Sequence, residues 1–201
     1  MFTRFAPGTL SLLIAGMTLL VGVSAALGAS SESVTLTVTI QNLSVAVSPA
    51  SKDFGVIAAG STDNITSGAI GVTNDGNVAE KLQFDISSAP AWTSVVGLPG
   101  AEQYRLSCLF KSSQAAGGDF DKTKGSGDTE DDMIVDGTPE TCVGYNGGSP
   151  SSDNFASSDN EDGHNMATGV THHLYFDFDA PSTTTTVTQQ TIVLTVTALA
   201  M

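Results

Sequence analysis

The chain has 201 residues, and its 21 acidic side chains outnumber the seven lysines and arginines to give a net charge of −14. That balance argues against nucleic acid and anionic membrane surfaces as partners, because both recruit lysine and arginine. With 40% hydrophobic residues the chain has the material for one packed domain of ordinary size.

The first predicted element is an export signal. Arg4 gives a short positive start, Leu10–Val23 is an apolar run, and small residues follow at Ser24, Ala25, Ala26, Gly28 and Ala29. Charge, apolar stretch and small-residue cleavage region in that order make a secretory signal peptide over residues 1–29. The run is shorter than the ~20 apolar residues that cross a bilayer, and no cysteine follows it to carry a lipid. Residues 30–201 are then expected to form a single domain, secreted or at the cell surface, with no membrane attachment after cleavage. They keep six basic residues against 21 acidic ones.

From Ser33 the dominant period is two. Val34, Leu36, Val38 and Ile40 alternate with Thr35, Thr37 and Thr39, the pattern of a half-buried strand. The phase slips at Gln41–Asn42 and a second run carries Leu43, Val45 and Val47 inward, which predicts a crossing between sheets there. Further strands are expected at Asp53–Ile57, Thr66–Asn74, Val78–Ser87, Trp92–Val96, Gln103–Phe110, Val170–Ala180 and Val187–Ala198. The Asp75–Gly76 pair predicts a hairpin joining Ile70–Asn74 to Val78–Ile86. No window has helical periodicity, so the expected fold is an all-β antiparallel sandwich of about 8–9 strands. Its core would hold Leu36, Val38, Val45, Val47, Phe54, Ile70, Val72, Leu82, Phe84, Ile86, Trp92, Leu106, Leu174, Phe176, Phe178, Ile192, Leu194 and Val196.

Between two good strands, residues 112–168 read as one long surface insertion. The stretch holds nine glycines and twelve of the acidic residues, with Lys122 and Lys124 as its only basic side chains. Carboxylates at these spacings suit hard cations, which makes Asp119, Asp121, Glu130, Asp159 and Asp162 a weak candidate set for calcium; no other cofactor is expected. An EF-hand it is not, since Thr123 and Lys124 occupy ligand and turn-glycine positions. Cys108 and Cys142 are the whole cysteine inventory, and in an exported chain they are expected as one disulfide. Closing that loop of about 35 residues would contribute about 3–4.5 kcal/mol by chain entropy. Neighbouring His172 and His173 would point to opposite faces of a strand, so they do not share a metal ion. No G-x-S-x-G elbow or placed pair of carboxylates suggests catalysis, and the expected protein is not an enzyme.

The stretch SPASKDFGVIAAGSTDNITSGAIGVTNDGNVAEKLQF, Ser48 to Phe84, resembles Ig-like domains of the broad ASH and PapD-like group. The matching positions are Pro49, Asp53, Phe54, Gly55, Ile57, Gly60, Ser61, Thr62, Val72, Thr73, Asn74 and Gly76. The resemblance implies an Ig-like sandwich and says little about activity. In plan the chain is also similar to the TasA/camelysin-like fibre proteins and archaeal pilus subunits, although none of their diagnostic motifs is present. That likeness implies self-association into an extracellular polymer through a donated strand, with Val34, Leu36, Val38 and Ile40 as the donor side chains. The competing expectation is a monomeric surface adhesin or a calcium-dependent binding module that works through the acidic insertion.

Overall fold

The computed structural model describes residues 32–87, 89–120, 122, 132–133, 137–142, 155 and 161–201, and of 132 and 133 the backbone alone. The expected export signal lies outside them. The chain divides into two units, Met1–Thr39 and Ile40–Met201. In the first, residues 32–39 enter no β-ladder and their apolar side chains are exposed: Val34 is 84% accessible, Leu36 90% and Val38 88%. Leu36 and Val38 were expected in the core, and they are not there.

The second unit is all-β. Its strands are β1 (Val45–Ser48), β2 (Asn64–Ile65), β3 (Ile70–Asn74), β4 (Glu80–Ser87), β5 (Thr93–Ser94), β6 (Gln103–Phe110), β7 (Asp132–Met133), β8 (Glu140–Thr141), β9 (Thr171–Asp179) and β10 (Val193–Ala200). The larger sheet runs β1-β3-β9-β6-β5, with β2 also on β9 and β7 also on β6; the smaller runs β10-β4-β8. All pairings are antiparallel except β5 with β6, which is parallel. The sheets enclose one core. Strict alternation builds it: Leu82, Phe84 and Ile86 of β4 face Leu174, Phe176 and Phe178 of β9 and Leu106, Cys108 and Phe110 of β6. Phe84 meets Phe110 at 5.9 Å and Phe155 edge-on at 5.0 Å. Each such buried side chain contributes about 1.5–3 kcal/mol.

Several expectations fail, some for local reasons and one because of distant pairing. No strand forms at 53–57, because the Asp53 carboxylate accepts the Gly55 N–H at 2.8 Å and turns the chain at a glycine with φ +76°. The Asp75–Gly76 turn closes no hairpin. Both edges of β3 are taken, by β1 and β9, so the turn instead delivers the chain to β4 in the other sheet. The crossing expected at Gln41–Asn42 is therefore found here, after β3. The strand expected from Thr66 begins at Ile70, after Gly68 with φ +74°.

Candidate functional site

From Ile40 to Ser44 the chain is fastened mainly by the 75–77 turn, with Glu80 Oε2 also accepting the Ser44 N–H at 3.4 Å. Asn77 donates through Nδ2 to the Ile40 carbonyl at 2.8 Å and accepts the Asn42 N–H on Oδ1 at 2.8 Å. Its backbone N–H bonds the Asn42 carbonyl, and Asp75 N–H bonds that of Ser44, both at 3.1 Å. The turn lies so close that a Cβ on Gly76 would sit 2.5 Å from the Asn42 oxygen, so glycine is required by contact. Ile40 itself is 77% exposed. Thus the donor side chains named from the sequence, Val34, Leu36, Val38 and Ile40, are all exposed.

A second uncharged ribbon lies at the other terminus. Among the described residues β10 pairs with β4 alone, and no other described strand takes its outer edge. Leu194 and Val196 pack against the core yet stay only half-buried, as does Ile192 just before the strand. No charged residue occurs from Ser33 to Ser51 or from Ala180 to Met201. Edge strands ordinarily carry charge to discourage pairing; here both terminal ribbons lack it.

The start of the acidic insertion is not a free excursion. Residues 112–120 fold back over the outer face of the larger sheet, where Leu109, Ala115, Phe120 and Tyr175 form a small second core. A charge cluster closes its border. Asp177 and Asp179 project from β9 on the face opposite Phe176 and Phe178, and Arg105 stands across from Asp179 on β6. Arg105 donates from Nε to Asp179 Oδ2 at 2.9 Å and from Nη2 to the same oxygen. Lys122 reaches in from the insertion, its Nζ 2.8 Å from Asp63 Oδ1, 2.6 Å from Asp177 Oδ2 and 2.9 Å from Asp179 Oδ1. Burial alone would raise both aspartates. For Asp179 the bonds from Lys122, the Asp63 N–H and Arg105 outweigh it and hold the carboxyl below its usual range. For Asp177 burial prevails over Lys122, and its pKa is raised. Lys122 is raised as well: burial opposes its charge, but Asp177, Asp63 and Asp179 outweigh that effect.

The calcium candidates are not brought together among the described residues. Asp119 is bound by Lys111 Nζ at 2.5 Å and also accepts the Ala116 N–H; Asp162 accepts the His164 N–H at 2.9 Å. Asp121, Glu130 and Asp159 lie outside the described residues, and no group of three or more metal-binding side chains occurs within them. Cys108 and Cys142 are both buried in the one core, and the structure contains no disulfide bond between them. His172 and His173 do point apart: the first has Nδ1 2.6 Å from the Asp162 carbonyl, the second faces Glu161. Trp92 packs on Phe178 at 6.2 Å and donates to Thr184 Oγ1 at 3.1 Å.

Sequence reasoning missed the charge cluster and the Asn77 clamp. The signal for the first was Asp177-Phe178-Asp179, two acids on one face of a strand whose other face is aromatic, with lone basic residues at 105 and 122 to meet them. No protein-family model, no curated protein and no solved structure matches the chain.

Proposed function

We propose that the protein is a non-enzymatic, exported structural subunit with an Ig-like body, joined to its neighbours by donating residues 33–40 as a strand. One observation carries the reading: a regularly alternating apolar ribbon, Val34 to Ile40, that enters no ladder and is 77–90% exposed. Exposing four large aliphatic side chains in series is unfavourable for a lone molecule, and burying each returns about 1.5–3 kcal/mol. Association itself costs about 4–15 kcal/mol, so apolar contact alone is marginal and ladder hydrogen bonds must decide the outcome. Strand addition supplies both. The open edge of β10, uncharged and flanked by half-buried Leu194 and Val196, is the receiving surface this reading favours on a second copy.

Purified residues 30–201 should form polymers visible by negative-stain electron microscopy. Removing residues 33–40 should leave a monomer with an unchanged melting temperature. A full-length mature protein that stays monomeric at high concentration would overturn the reading.

A further inference from the structure

We propose that Lys122 and Asp177 are the two halves of an intramolecular amide cross-link, with Asp179 as the base that moves the proton. The inference is independent of whether the arm is donated. It starts from the 2.6 Å approach of Lys122 Nζ to Asp177 Oδ2 in a site where the lysine side chain is 14% exposed and the aspartate 0%. That approach is a charge contact without hydrogen-bond alignment, and neither Asp177 oxygen has a hydrogen-bond partner among the described residues. A fully buried carboxylate left so poorly satisfied is an unfavourable resident. A neutral carboxyl, or an amide, is a far better one.

The neighbours supply what condensation needs. Lys122 donates to Asp63 Oδ1 and Asp179 Oδ1, so the base touches the nitrogen that must lose its proton. Arg105 holds Asp179 in the ionised state that a base requires. Moving one proton from ammonium to the Asp177 carboxyl turns the ion pair into amine and acid without changing the net charge. Burial of Asp177 favours that transfer, while the carboxylates around Lys122 oppose it and make the neutral pair a minor, reactive form. Nζ then attacks Cγ, Asp179 carries the second amine proton to the departing hydroxyl, the Cγ–Oδ bond breaks, and water leaves. One C–N bond replaces one C–O bond, nothing is oxidised, and no co-reactant enters. A single turnover suffices, so a slow rate is no obstacle. The Lys111–Asp119 pair is less enclosed: both side chains are 20–26% exposed.

The test is the intact mass of the folded, reduced protein covering residues 30–201. The expected mass is lower than the sequence mass by one water, with a branched peptide joining residues 122 and 177 in tandem spectra. Cyclisation at Asp75–Gly76, Asp136–Gly137 or Asp162–Gly163 would also lose water, but hydroxylamine opens those imides and leaves the side-chain amide intact. Lys122→Arg keeps the positive charge and should restore the full mass, with folding checked by circular dichroism. Asp177→Asn should release ammonia and arrive at the wild-type product mass, while Asp179→Asn should slow cross-linking at least tenfold. Full mass in folded wild type after prolonged incubation, or a hydroxylamine-resistant water loss that survives Lys122→Arg, overturns the assignment.

Discussion

Single residues decide how firmly the parts of this molecule are fastened. Asn77 acts through two exposed bonds, so Asn77→Ala should lower global stability by about 1 kcal/mol or less. Its effect should appear locally, as faster hydrogen exchange at the Asn42 amide that the side chain now protects. Gly163 is constrained differently. A Cβ there would meet Cys142 Sγ at 2.5 Å and the Phe110 ring at 3.1 Å, inside the core. Gly163→Ala should therefore destabilise by about 1–3 kcal/mol through overpacking, measured by urea unfolding. Asp179 sets a pH dependence whose sign can be worked out. Its folded pKa is lowered, so its contribution is present above the ordinary aspartate value and is lost as pH falls through the folded value. As a free carboxyl, before any amide forms, Asp177 runs the other way, since its raised pKa favours the folded state in acid. Asp179→Asn should thus flatten the acid limb of the melting-temperature profile and leave the neighbouring raised group to shape what remains.

At the scale of elements, Lys122 ties the start of the insertion to the charge cluster on β9. Replacing Lys122 with methionine keeps the stem and removes the charge, leaving Arg105 as the remaining basic partner of Asp179 and none for Asp177 among the described residues. Breaking a buried pair on one side costs about 3–5 kcal/mol, and residues 112–120 should lose exchange protection with Leu109 and Tyr175 as the packing beneath them opens. The alternating strands were plain in the sequence because period two and burial coincide: Gln103–Phe110 is found at the expected bounds, and Leu82, Phe84, Ile86, Leu174, Phe176 and Phe178 are buried as their phase requires. Pairing partners were less legible. A D-G turn encodes a reversal, but whether the reversed strand finds its neighbour depends on who already occupies that edge, and β9 comes from a hundred residues downstream. The charge cluster escaped for the same reason, since Asp63, Arg105, Lys122 and Asp179 meet only after the sheet has formed.

For the whole molecule, charge and the two neutral ribbons act against each other. If residues 30–201 assemble as proposed, copies with six basic and 21 acidic residues repel at distance, and that repulsion extends about 30 Å at 0.01 M salt but only about 3 Å at 1 M. Polymer growth should accordingly speed up and extend further as ionic strength rises, followed by light scattering; faster growth in low salt would contradict strand-mediated assembly between such acidic bodies. The clamp at the base of the arm has a mechanical side too. Tension arriving through residue 40 would meet four hydrogen bonds around 75–77 before it reached β1. Two of them end on one amide group, so neither can let go without rotating the other. A rope made of such subunits would yield where strands are exchanged, or within them, before it tore loose at this knot.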